Sequence, residues 1–184
     1  GGEPLLRADL IERIVREAPA RRFMVQTNGI LLDQLPTEII NRFVTILVSL
    51  DGRRELTDAN RGTGVYERVM KNIRKIRAKG YTGELIARMT VTERTDIVEA
   101  VHHLASNPDY SFSSIHWQID ANFTGDFSQR RFGDWAHDHY NPGIRVLYFG
   151  APLLGRKPDG LSTLGAAAVI ALAIDPFQLQ DAGF

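Results

Sequence analysis

The residues of this chain best suited to chemistry fall in four short polar words: Gly1-Gly2-Glu3-Pro4, Gln26-Thr27-Asn28-Gly29, Ser49-Leu50-Asp51-Gly52, and Arg88 with Thr90 and Thr92. Ser49 and Asp51 stand two apart, so a strand presents a hydroxyl and a carboxylate on one side. Gln26 and Asn28 do the same with two amides. Asp51 can also be consumed by its own turn, since Asp-Gly is a common turn dipeptide. Arg88 lies between Ala87 and Met89, on a face shared with Ile86 and Thr90. A cation in an apolar interior needs a partner, so Arg88 either pairs with an interior acid or meets a ligand anion. Arg61, after Asn60 in a polar stretch, can grip a carboxylate bidentately; its plainer reading is a solvated loop cation. Read singly, each word is ordinary turn chemistry.

The elements that must position these words follow from apolar periodicity. A helix is predicted over Arg7–Ala18, closed by Pro19, then a buried strand over Arg22–Gln26 ended by Asn28-Gly29. A helix over Leu31–Phe43, with Pro36 as its candidate break, leads to the clearest strand, Val44–Leu50, rich in β-branched residues. After a polar loop, Val65–Lys79 is the strongest helix, with Glu67 in its first turn and Gly80 just past its end. A strand over Glu84–Val91, a helix over Asp96–Ala105, a strand over Ser114–Ile119 and a weaker helix over Ser128–His137 follow. Alternating strand and helix predict right-handed βαβ units, hence an α/β fold with a parallel sheet, open or closed into a barrel. In such folds ligands bind at the carboxyl ends of the strands. The polar words lie there.

Composition narrows the classes. The chain has 184 residues, 22 Lys+Arg against 22 Asp+Glu, five His and no cysteine. Without cysteine there is no disulfide, no Cys-ligated zinc and no thiolate-held iron–sulfur cluster within these residues. Zero net charge argues against a dedicated binder of nucleic acid or anionic membrane. Apolar runs fall short of the ~20 residues a membrane span needs, and no signal peptide is recognisable. A cytoplasmic setting is the expectation. Residues 148–184 hold only five of the 44 charged residues. This marks a unit over 1–147 and a tail over 148–184, whose apolar run Leu164–Ile174 is too short to cross a bilayer.

Taken in order, GGEPLL, a helix, VQTNG, a helix, VSLDG, NRGTGVYERVMKNIRKIRAKG and ARMTVT resemble the radical S-adenosylmethionine superfamily. The resemblance runs from Gly1 to about Ile119 and is closest to the peptide- and protein-modifying branch, which includes sulfatase-maturing and SPASM-type enzymes. It implies a partial (β/α) TIM-barrel-like sheet with outer helices. It also implies a [4Fe–4S] cluster that reduces S-adenosylmethionine to a 5′-deoxyadenosyl radical, a peptide or protein substrate, and an electron donor such as ferredoxin or flavodoxin. Carried onto this chain, the glycine word meets the methionine amino group. Gly1 and Gly2 let backbone approach closely, Glu3 accepts from the ammonium and Pro4 stiffens the turn. Ser49 and Asp51 bind ribose hydroxyls or order the site, Gln26 and Asn28 lie on the neighbouring strand, and Arg61 and Arg88 meet the carboxylate or its surroundings. The segment Ile115–Ile144 is similar to a group of archaeal peptide-modifying radical enzymes.

The family's CxxxCxxC word is absent, and so is any strand before Gly1. The expectation is that the first βα unit, with its cysteines, is missing, and that this chain alone cannot assemble the cluster. The unpaired sheet edge then invites self-association. Two other classes stay open. One is a non-catalytic nucleotide- or peptide-binding α/β module; the other is a phosphate-binding (β/α) barrel enzyme with an anion at a helix N-terminus. Arg68, Lys71, Arg74, Lys75, Arg77 and Lys79 make the long helix basic, either a solvated face or a landing place for an acidic leader peptide. His102 with His103, and His137 with His139, do not share a helix face and form no metal pair. His116 reads as a core histidine. Trp117, Phe123 and Trp135 serve the core or a substrate cleft.

Overall fold

A computed structural model describes residues 2–106, 112–120 and 133–150. They fall into two compact units, one made of the described residues within 1–90 and 100–117, the other of those within 91–99 and 118–150.

In the first unit a short 3₁₀ turn, Pro4–Arg7, runs into α1 (Ala8–Glu17), and β1 (Phe23–Thr27) follows. A 3₁₀ turn at Leu32–Gln34 and the four-residue α2 (Thr37–Ile40) lead to β2 (Phe43–Ser49). Then come α3 (Arg54–Arg61), α4 (Val65–Ala78) and β3 (Glu84–Val91), and next α5 (Ile97–Ser106) and β4 (Ser114–Ile119), with Val91, the first three residues of α5 and the last two of β4 assigned to the second unit. The strands form one sheet in the order β1-β2-β3-β4, with β1–β2 and β2–β3 parallel. This is the α/β fold that the strand–helix alternation implies.

Each strand alternates buried and open positions, so the sheet has two unlike faces. Val25, Ile46, Val48, Leu85, Ala87 and Met89 are buried on one of them. They join the α4 stripe of Val69, Ile73 and Ile76, spaced four and three apart as one helix face requires. Truncating one such core residue to alanine costs roughly 2–5 kcal/mol. The opposite face carries Gln26, Leu47, Ser49, Ile86, Arg88 and Thr90 and is more accessible. It belongs to the site.

Two expectations require correction. Leu31–Phe43 is not one helix: Leu35 is extended at ψ 139°, and only Thr37–Ile40 is α-helical beyond Pro36. The proline ring excludes the helical conformation from the residue before it and removes one backbone donor. Residues 54–61, expected as loop, are α3, so Arg61 is the last residue of a helix. In addition, His116 is exposed on β4 and is no core residue. The glycine end of α4 is as expected, with Gly80 at φ +90° closing the helix. At Gly29, φ is +77° and an added Cβ would stand 3.0 Å from Val48 Cγ1 and 3.1 Å from Val69 Cγ1. Only glycine suits that turn.

In the second unit residues 133–135 are helical, a π-helical turn spans Ala136–Tyr140, and α6 (Asn141–Gly150) follows. Trp135 is buried, its ring 5.5 Å from that of Tyr140, which is core packing. Of the predicted helix Ser128–His137, residues 128–132 lie outside the described residues. So do Gly1, Phe123 and the run Leu164–Ile174. Among the described residues no helix is long and apolar enough to cross a membrane.

Candidate functional site

The carboxyl ends of β1, β2 and β3 deliver the polar words. In the parallel register Ser49 stands beside Arg88, and Gln26 beside Leu47, which in turn stands beside Ile86. Since partners in register share a face, Gln26, Ser49, Arg88 and Thr90 all lie on the more open side of the sheet. Ser49 is buried there while Arg88 is half-buried.

Asp51 organises the rim just beyond these strands. Its carboxylate is fully buried, and Oδ1 accepts from Arg61 Nη2 at 2.6 Å and from the Thr90 N–H at 2.8 Å. Oδ2 accepts from Asn60 Nδ2 at 3.2 Å. Its own N–H donates to Thr57 Oγ1 at 3.2 Å, and that hydroxyl donates to the Gly52 carbonyl at 3.3 Å. Asp51 therefore fastens α3 to β3 with both oxygens. Its partners, rather than its own Asp-Gly turn, consume it.

Thr57, Asn60 and Arg61 are three and four apart along α3, so they share the face that meets Asp51. Arg61 Nη2 also reaches Thr90 Oγ1 at 3.4 Å, which brings the guanidinium to the same rim as Arg88 and Ser49. Arg61 Nε is buried and has no hydrogen-bond partner among the described residues. A buried donor left unsatisfied costs about 1–3 kcal/mol, so an acceptor arriving there would be rewarded. Arg61, paired with Asp51, and Arg88 bring two guanidinium groups to this rim. This donor set fits a carboxylate-bearing ligand rich in oxygen acceptors.

The first word is tied to β1 instead. Glu3 Oε1 accepts from Thr27 Oγ1 at 2.6 Å and from the Leu5 N–H at 3.1 Å, and Oε2 accepts from the Asn28 N–H at 2.6 Å. Thr27 Oγ1 in turn accepts from the Gly29 N–H at 3.0 Å, and Asn28 Oδ1 from the Ile30 N–H at 2.9 Å. Asn28 is thus occupied by its turn. Gly2 has open space where a Cβ would sit, so packing among the described residues does not demand glycine there. Pro4 starts the 3₁₀ turn. Gly2, Pro4 and Gln26 share no hydrogen bond with the Asp51–Arg61 group among the described residues.

Asn60 and Thr57 escaped the sequence reading as site residues, and Thr27 entered it only as part of a turn word, with no role of its own. The i, i+3, i+4 spacing of Thr57, Asn60 and Arg61 was visible, but it carries meaning only once residues 54–61 are seen to be helical. For iron–sulfur chemistry the donors are wrong: the chain has no cysteine. Among the described residues, no three His, Asp or Glu side chains gather to hold a metal ion.

Comparison with known proteins agrees with the segment these strand ends define. Residues 1–105 match the model of the radical SAM superfamily. Mycofactocin maturase MftC from Mycobacterium tuberculosis strain CDC 1551 / Oshkosh is 33% identical over 199 aligned positions, covering 96% of this chain and 49% of that protein. The same protein from strain ATCC 25618 / H37Rv matches to the same extent, 33% over 199 positions. The chain spans about half the length of these curated relatives.

Proposed function

We propose that this chain, which belongs to the radical SAM superfamily, is the S-adenosylmethionine-binding part of a cytoplasmic enzyme that modifies a peptide or protein. One observation carries the reading. The matched segment, residues 1–105, contains the rim where Ser49, Arg88, Thr90 and the Asp51-held Arg61 meet. The maturase name of the relatives supports a modifying activity on a peptide-class substrate. When bound, S-adenosylmethionine is the superfamily's source of a 5′-deoxyadenosyl radical, which takes hydrogen from the substrate.

The chain's own residues bind and orient. Asp51 holds Arg61 so that its guanidinium is in place before a ligand arrives, and pre-ordering removes part of the entropic cost of binding. Arg61 Nε and the Arg88 guanidinium suit the methionine carboxylate. The Ser49 hydroxyl, beside Arg88, adds a donor and an acceptor for the same group or the ribose. Glu3 keeps acceptor capacity beyond its three bonds for the ammonium, since an ionised carboxylate offers about four lone-pair sites. The cluster's thiolates belong, on this reading, to a CxxxCxxC word elsewhere in the parent protein, with ferredoxin or flavodoxin as electron donor.

Calorimetry with S-adenosylmethionine and with adenosine tests the assignment. Arg88→Ala is expected to weaken S-adenosylmethionine about tenfold or more, the value of a hydrogen bond to a charged group, and to leave adenosine unchanged. An equal effect on both ligands, or none on either, removes Arg88 from the carboxylate site. A wild-type chain that binds neither ligand overturns the reading.

A further inference from the structure

The rim leaves the cations of α4 unexplained. Arg68, Lys71, Arg74 and Lys75 line an open groove of about 520 Å³ beside the turn after β1, together with Ile30 and Leu31. Its two carboxylates are already spoken for: Asp33 Oδ2 accepts from Lys75 Nζ at 2.6 Å, and Glu67 pairs with Arg54. Lys79 Nζ donates to the Asp33 carbonyl at 3.2 Å. Arg77 Nη1 donates to the carbonyls of Tyr81 and Gly83, each at 2.8 Å, behind the C-terminus of α4. Arg68, Lys71 and Arg74 remain, all exposed, and none of their side chains is in an ion pair or hydrogen bond with another described residue.

These three stand three residues apart, a rise of about 4.5 Å each, so they spread along about 9 Å of helix axis. Cations that converge would suit one phosphate; a row suits a chain of charges. Side chains on one side of an extended peptide recur every ~6.6 Å, which sets about two carboxylates against the row. A neutral chain with one short basic row is a poor match for a nucleic acid, which needs a broad positive field.

We propose that this groove docks an acidic stretch of the peptide substrate, away from the strand-end rim. The proposal rests on the peptide-modifying reading above and adds the chemistry by which the substrate is held.

Fluorescein-labelled hexaglutamate, followed by anisotropy with the 184-residue chain at low salt, is the direct test. Saturable binding is expected, weakening as salt rises. The triple substitution Arg68→Ala, Lys71→Ala, Arg74→Ala should weaken it roughly tenfold, since each exposed pair is worth a factor of about 1.5 to 5. Removing three exposed cations elsewhere, Arg13→Ala, Arg21→Ala and Arg22→Ala, should leave it unchanged. Three results overturn the groove: binding no tighter than to a glycine–serine peptide, equal loss in both triple variants, or displacement by oligothymidine at lower concentration than by unlabelled hexaglutamate. S-adenosylmethionine calorimetry on the same proteins separates the two readings. A chain that binds hexaglutamate but not S-adenosylmethionine ends the proposed function and leaves the groove standing; the converse ends the groove alone.

Discussion

Asp51 shows how far a single residue's type can be read and where that stops. A Ser-x-Asp spacing at the end of a strand leaves three roles open: turn, ligand contact or scaffold. The buried carboxylate settles on Arg61, Asn60 and the Thr90 N–H, and both partner side chains come from a helix whose existence the sequence hid. On the proposed function Asp51 acts through Arg61, as a positioning residue. Asp51→Ala leaves a largely buried guanidinium uncompensated and is expected to cost about 3–5 kcal/mol, read as a lower urea midpoint. Arg61→Ala should cost less. The carboxylate it abandons keeps two donors, and the unsatisfied Nε goes with it. If Arg61→Ala proves the more damaging, the pairing assigned to this rim is wrong.

At the scale of elements, α4 owes its start to Asp58. Oδ1 accepts from the Tyr66 N–H and Oδ2 from the Gly64 N–H, each at 2.9 Å. These bonds, that from Tyr66 foremost, hold the Asp58 carboxyl below its ordinary pKa. A carboxyl whose pKa falls on folding stabilises the fold above the unfolded value of ~3.9, and the contribution disappears as acid protonates it. Urea midpoints at pH 6 and pH 3 should therefore differ less for Asp58→Ala than for the wild type, with the gap between the proteins closing in acid. An equal acid loss in both would show that Asp58 does not cap α4. Elements with a strong apolar stripe, α4 and β3 above all, were legible to within a residue. Helix α3 was not: RELTDANR is almost wholly polar, and it is tied down by Asn60 and Arg61 on the Asp51 carboxylate and by Thr57 on the Asp51 N–H and the Gly52 carbonyl. Leu31–Phe43 failed for the opposite reason. Its apolar periodicity outlasts the helix because the chain keeps burying Leu32, Leu35, Ile39 and Ile40 through a proline break.

For the molecule as a whole, the sheet ends at β1, whose outer edge is unpaired among the described residues. Met24, on that strand, is 68% exposed. An open edge and a chain of zero net charge both favour association. Sedimentation of this chain across a concentration series is expected to show rising mass at neutral pH, and Met24→Lys should restore the monomer by charging the edge strand. A single mass throughout would mean that the edge is guarded, with Arg21 and Arg22 just ahead of it the nearest charges.

Asn72 joins two regions so far treated apart. Its Nδ2 donates to the carbonyls of Gly29 at 3.0 Å and Ile30 at 2.9 Å, fixing the turn after β1 to the body of α4. Ile30 borders the basic groove, while Asn28, one residue before Gly29, holds Glu3 through its N–H. A turn pinned from both sides is a stiff lever, and a load at the groove reaches the end of β1 within three residues. Thermodynamic reciprocity then binds the two places: by whatever factor an occupant of the groove alters affinity at the strand ends, an occupant of the strand ends alters affinity at the groove.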